Sequence, residues 1–136
     1  MPQYLLDTNI CIHLLRGSFG IAEKLRNIGW DNCAISEITI AELKVGENIM
    51  KRRGMRFIPL ELTPLSTLPV YTISSALLMY ADEKCRLQFN GTPQHDDFDL
   101  LIGCTAVANG LTLVTENIKH FSAINGIVLE NWIKRD

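Results

Sequence analysis

The sequence predicts an α/β fold built on a mainly parallel sheet. Short apolar runs alternate with segments of helical periodicity from one end to the other. No repeat, low-complexity tract or linker breaks that alternation. The 136 residues suit one domain, taken as 1–136. A chain of this size buries roughly two-thirds of its unfolded surface, so its core needs neither disulfides nor a structural metal.

Tyr4-Leu5-Leu6 reads as a buried strand because the pattern turns helical after Asp7. Ile10, Leu14 and Leu15 recur at helical spacing, and Gly17 and Gly20 bracket the break that follows. Ile21 to Ile28 is a second short helix, closed by Gly29. Cys33-Ala34-Ile35 is the second strand, with Ser36 and Thr39 both able to cap the next helix. That helix is predicted from Ile40 through Arg53, its end marked by Lys51-Arg52-Arg53-Gly54. Residues 55 to 72 carry Pro59, Pro64 and Pro69 and no long helix, with a strand expected within Leu68 to Tyr71. Ile73 to Phe89 keeps a 3.6-residue period, and Asn90-Gly91-Thr92-Pro93 stops it. Leu100 to Asn109 is a helix rich in small residues, Leu111 to Thr115 a strand, and Ile127 to Leu129 the last strand.

Composition excludes several classes. Hydrophobic residues at 47% and charged residues at 21% exclude a disordered chain. Lys plus Arg is 13 against 15 for Asp plus Glu, so the chain is no globally basic nucleic-acid binder, although a local patch remains open. Cys11, Cys33, Cys85 and Cys104 form no CxxC pair, which argues against zinc or redox chemistry. Neither a signal peptide nor an apolar run of roughly 20 residues is present, so a cytoplasmic setting without membrane contact is expected.

The carboxylates fall where such sheets build their sites. Asp7 follows strand one, Glu42 lies in the helix after strand two, Asp99 opens a buried helix behind Asp96 and Asp97, and Glu116 and Asn117 follow the strand ending at Thr115. Each has an ordinary alternative. Asp7 could cap a helix, Thr39-Ile40-Ala41-Glu42 fits a capping box, Asp99 could complement a helix dipole, and Asn117 could be a turn residue. Capping does not explain why the interior strand ends should each carry an acid. Carboxylates gathered in one cleft repel unless a cation neutralises them, and oxygen donors suit Mg²⁺ or Mn²⁺ rather than zinc. Such a cleft points to phosphoryl chemistry, and a nuclease is the usual soluble case. No phosphate loop, GxGxxG, GxSxG or HExxH occurs. His13 reads as helix surface or packing, His95 as a loop residue and His120 as a structural residue in a turn. Lys51, Arg52, Arg53 and Arg56, with Lys44 upstream, are either a solvated helix end or contacts for RNA phosphates.

Five blocks in register resemble a known family: Leu5-Leu6-Asp7-Thr8-Asn9; Ile35-Ser36-Glu37-Ile38-Thr39 with Ala41-Glu42-Leu43; Asp97-Phe98-Asp99-Leu100-Leu101-Ile102; Leu113-Val114-Thr115-Glu116-Asn117 with His120-Phe121; and Glu130-Asn131-Trp132. Together they resemble a PIN domain, specifically the VapC-type toxin ribonucleases of bacterial type II toxin–antitoxin systems. The resemblance implies a three-layer α/β/α fold with four or five central strands. It also implies a Mg²⁺-dependent endoribonuclease, Mn²⁺ being an alternative, that hydrolyses RNA with metal-activated water. The family's first three acids fall on Asp7, Glu42 and Asp99, and its fourth polar position falls on Asn117 where many members carry Asp. Asp97 or Glu116 is the alternative fourth donor, and one or two metal ions remain open. Thr8, Asn9, Ser36 and Thr115 are expected to orient ligands or water. The implied partners are an RNA substrate, a VapB-like antitoxin and a second copy of the chain.

Rival readings have weaker support. A phosphatase of the haloacid-dehalogenase type resembles DxD at the first strand, whereas Asp7-Thr8-Asn9 stands here. A phospho-receiver domain would want paired acids, a phosphoacceptor Asp and a strand-end Lys, a set absent here. A PIN-family RNA-processing nuclease without an antitoxin is the enzyme alternative. A degenerate binding module is the non-enzyme one, and retention of Asp7, Glu42 and Asp99 argues against it.

Overall fold

The computed structural model describes residues 1–92 and 96–136, so His95 lies outside the described residues. The elements are β1 (Tyr4–Leu6), α1 (Thr8–Leu15), α2 (Ile21–Ile28), β2 (Cys33–Ser36), α3 (Glu37–Arg52), β3 (Val70–Tyr71), α4 (Leu77–Phe89), α5 (Asp97–Ala108), β4 (Thr112–Val114), α6 (Ile118–Phe121) and β5 (Leu129–Glu130). The five strands form one sheet in the order β3-β2-β1-β4-β5, and every pairing is parallel. This is the expected α/β/α architecture.

Side-chain alternation along the strands separates two cores. Leu6, Ile35 and Val114 pack with Ile10 and Leu14 of α1 and Leu25 of α2. Leu5, Ala34 and Leu113 pack on the other face with Leu87 of α4, Ile102 of α5 and Phe121. Both faces of the short strands are thereby covered, as a parallel sheet requires.

Several boundaries differ from the sequence expectation. The third helix begins at Glu37, not Ile40, because Ser36 caps it by accepting from the Ile38 N–H at 3.1 Å. Thr39 is therefore inside the helix and fully buried. The predicted helix from Ile73 to Phe89 divides into a 3₁₀ turn, Ile73–Ala76, and α4. The helix predicted from Leu100 starts at Asp97, capped by Asp96 through the Asp99 N–H at 2.7 Å. The four-residue α6 is an addition to the predicted elements, and the last strand sits at Leu129–Glu130 rather than Ile127–Leu129. Among the described residues, no helix is long and apolar enough to cross a membrane.

Candidate active site at the β1–β4 switch point

β1 continues to β2 on one side, whereas the chain returns from β3 to β4 on the other. The carboxyl ends of β1 and β4 thus flank the switch point, where α/β sheets open a crevice. The Asp7 N–H donates to Val114 O at 2.9 Å, which locks the two strand ends together.

Asp7 is 4% exposed. Its Oδ1 accepts from the Thr8 N–H at 2.8 Å, and its Oδ2 accepts from the Thr115 hydroxyl at 2.8 Å and from Asn9 Nδ2 at 3.4 Å. Burial pushes its carboxyl up to about 6, and the charges of Asp99 and Glu42 push the same way, while the Thr115 and Thr8 bonds oppose them. Asp7 does cap α1. Capping alone would favour the ionised form, and burial outweighs it.

Glu42 Oε1 accepts from the Thr8 hydroxyl at 2.6 Å, and that hydroxyl also lies 3.1 Å from Thr39 Oγ1. The capping-box alternative is thereby removed, since Thr39 is buried within the first turn of α3 and Ser36 is the cap. Burial raises the Glu42 carboxyl, with the charges of Asp99 and Asp96 adding to it. Asp7 therefore feels the charges of Asp99 and Glu42, and Glu42 feels that of Asp99, across nearly a hundred residues of sequence.

The other candidates separate. Asp97 accepts from the Tyr80 hydroxyl at 2.8 Å and pairs with Lys84, which holds its carboxyl below the usual range. Glu116 pairs with Arg135, and His13 Nε2 lies 3.3 Å from it. The Arg135 guanidinium in turn sits 4.8 Å from the centre of the Phe19 ring. The Glu116 backbone still serves the site, because its N–H donates to Asn9 Oδ1 at 3.2 Å. Asn9 links that strand end back to Asp7 and to Thr115 at 3.3 Å. Asn117 is exposed and donates its N–H to Thr115 Oγ1 at 3.0 Å. Ser36 is committed to the α3 cap. Lys51, Arg52, Arg53 and Arg56 are exposed, and Lys51 lies about 14 Å along the helix axis from Glu42.

Sequence reasoning misses two polar contributors. Thr39, which the sequence offers as a cap, instead supports the Thr8 hydroxyl. His120 reads as a turn residue, yet its Nδ1 lies 3.3 Å from Asp99 Oδ2. The available signal was its place directly before Phe121, an anchor that is fully buried.

The donor chemistry suits a hard divalent cation. Among the described residues, neither Asp7 nor Glu42 has an ion-pair partner, and both carboxyls are raised. Oxygen donors held in mutual repulsion are what Mg²⁺ or Mn²⁺ would relieve. Among the described residues no three His, Cys, Asp or Glu side chains already form a closed metal-holding group. At Asp7 and Glu42 the cleft thus presents carboxylates without a cationic partner among the described residues. Beside Glu42 begins an apolar groove of about 440 Å³, lined by Ile12, Leu15, Leu43, Ile49, Phe57 and Ile58 among others.

A PIN domain model matches residues 4–127. The chain is 35% identical to "Ribonuclease VapC2" of Rickettsia felis over 134 residues, covering 96% of this chain and 98% of the relative. It is 28% identical to the "tRNA(fMet)-specific endonuclease VapC" of Salmonella typhimurium, covering 97% and 99%. Among solved structures, DNA-bound VapBC from Salmonella typhimurium aligns with a TM-score of 0.78 at 29% identity, covering 97% and 99% of the two chains. VapBC2 from Rickettsia felis, bound to a DNA fragment from its promoter, aligns at 0.75 with 31% identity, covering 95% and 98%.

Proposed function

The chain belongs to the PIN domain family, and from that membership we propose that the β1–β4 cleft is the active centre of a divalent-cation-dependent endoribonuclease toxin. It is a VapC-type ribonuclease, paired with a cognate antitoxin. The observation that carries the assignment to this cleft is that Thr8 holds Asp7 by its N–H and Glu42 by its hydroxyl, two carboxylates without an ion-pair partner among the described residues, with the charge of Asp99 acting on both.

In this reading the three acids hold Mg²⁺, with Mn²⁺ able to replace it. When bound, the cation neutralises charge on the scissile phosphate and makes a bound water acidic. The remaining work belongs to the chain. Thr115 and the Thr8 N–H fix the two oxygens of Asp7. The Thr8 hydroxyl holds Glu42, and Asn9 ties the β4 end to the same carboxylate network. Asn117 stands at the cleft edge as a neutral polar group able to orient water. Asp97 and Glu116 already have cationic partners, which favours a three-acid set without either.

The α1–α3 groove is assigned to the antitoxin. Its apolar lining begins beside Glu42, so a segment seated there covers the cleft's entrance. A second copy of the chain is assigned to α4, whose exposed Leu78 and Phe89 are three turns apart on one face. The whole of residues 1–136 is taken as one domain working in the cytoplasm. Purified wild type should cut RNA in Mg²⁺ and stop on addition of EDTA. Asp7→Asn and Asp99→Asn should each lose at least about a hundredfold in rate. Wild-type rates in either variant would refute the site.

A further inference from the structure

Three carboxylates open α5, and each has a different occupation. Asp96 caps the helix by accepting from the Asp99 N–H at 2.7 Å. Asp97 is engaged by the Tyr80 hydroxyl and Lys84. Asp99 acts on Asp7 and Glu42 across the cleft. A carboxylate in the first turn of a helix can rotate about its last torsion unless something holds it.

The holding contact comes from α6. His120 Nδ1 lies 3.3 Å from Asp99 Oδ2, and the imidazole is 40% exposed. Its placement is dictated by close packing one turn further along α5. Gly103 is four residues beyond Asp99, on the same face of the helix. A Cβ built there would stand 2.4 Å from Ile124 Cδ1 and 3.3 Å from Phe121 Cδ1. The missing Cβ therefore lets α6 lie against α5, with Phe121 fully buried. At the other end the Asn117 N–H is tied to Thr115, and the His120 N–H donates to Asn117 O at 2.9 Å. The residue before Phe121 is thereby delivered to Asp99.

We infer that His120 is a positioning residue for the divalent cation, donating its Nδ1–H to Asp99 Oδ2 and fixing the plane of that carboxylate. The inference rests on the cation-dependent reading of the cleft given above. His120 acts through Asp99, because the nitrogen nearest the cleft carboxylate is occupied in that bond. Partners of this kind, which orient a ligand without touching the metal, typically contribute 10–100-fold in affinity. A half-exposed imidazole adds little packing, so its role should separate from stability.

Mn²⁺ binding to RNA-free protein, measured by titration calorimetry, tests it on wild type, His120→Ala, His120→Asn and Asp7→Asn. His120→Ala should weaken Mn²⁺ binding roughly 10-fold or more. His120→Asn keeps an N–H donor near the Nδ1 position and should stay within about threefold of wild type. The metal-free unfolding midpoint should be the same for all three His120 forms within about 2 °C. In RNA cleavage at limiting Mn²⁺, the His120→Ala defect should fall on kcat and recover with excess cation, with KM for RNA little changed. Wild-type Mn²⁺ affinity in His120→Ala, or equal losses in His120→Ala and His120→Asn, overturns the inference. If Asp7→Asn loses Mn²⁺ binding while His120→Ala does not, only this inference falls. If Asp7→Asn binds Mn²⁺ normally, the cation site itself falls, and the inference with it.

Discussion

Asp7 is destabilising in its ionised form when no cation is present. Its carboxyl sits at about 6 in the folded chain against 3.8 in the unfolded one. The folded state therefore binds the proton more tightly, and stability falls as pH rises from about 3.8 through about 6. Above that window the penalty is complete, about 1–3 kcal/mol, because each tenfold difference in proton affinity corresponds to roughly 1.4 kcal/mol. Asp7→Asn removes the charge and keeps an oxygen for the Thr8 N–H. It should make the cation-free protein more stable at about pH 7.5 by that amount, the gain shrinking towards zero near about pH 4. Urea unfolding at several pH values measures this. Millimolar Mg²⁺ should raise the wild-type midpoint and move that of Asp7→Asn much less, since the variant lacks one of the three anionic donors. An Asp7→Asn variant less stable than wild type above the window would mean that the residue serves mainly as a cap. The sequence located this residue because a strand end followed by an acid is a local pattern. It could not weigh cap against ligand, because the opposing charges arrive from Glu42 and Asp99 through the fold.

Legibility varies among the elements for the same reason. The strands of the two buried runs, Tyr4–Leu6 and Cys33–Ser36, were readable from their apolar residues, and α2 from its period and its closing Gly29. Ser36 and Thr39 offered equivalent capping chemistry. Burial of Thr39 against Thr8 decides between them, and that contact spans 31 residues. The four residues of α6 are too few to display a period, so His120 could not be placed. What seats α6 is Gly103 on another helix, and this element carries its own prediction. Gly103→Ala places a methyl against Ile124 Cδ1, the movable tip of a side chain, and should cost about 1–2 kcal/mol. Gly103→Leu cannot be relieved that way and should cost more, about 3 kcal/mol. Both should weaken Mn²⁺ binding as well, because displacing α6 carries His120 away from Asp99. Chemical unfolding and cation titration on the two variants check the pair of effects. Loss of stability with unchanged Mn²⁺ affinity would uncouple α6 from the site.

Over the whole molecule, the formal charge of −2 hides two separated populations. The acids gather at the switch point, and Lys51, Arg52, Arg53 and Arg56 stand exposed at the far end of α3. Replacing those four bases with Ser should raise KM for RNA and flatten its salt dependence, with a smaller effect on kcat. Cleavage assays across a salt series measure this, and an unchanged salt slope would remove these bases from the RNA path. The apolar groove lies between the two populations, bounded by α1, α3 and the segment that follows α3. That segment is tied down where Glu47 accepts from the Leu60 N–H and Lys44 pairs with Glu47 and Glu61. These contacts brace the groove wall, and a wall braced in this way carries a smaller ordering cost on docking. Ile49 and Ile58 are 44% and 70% exposed, so a charge at either site disturbs the lining without entering the core. Ile49→Glu with Ile58→Glu should leave RNA cleavage by the free chain within about twofold of wild type. The same pair should weaken inhibition by the cognate antitoxin at least tenfold, since each tenfold needs only about 1.4 kcal/mol of lost apolar contact. Cleavage assays with increasing antitoxin separate the two effects. Full inhibition at wild-type antitoxin concentrations would place the antitoxin elsewhere on the surface. Loss of cleavage in the free variant would show that the groove belongs to the RNA path.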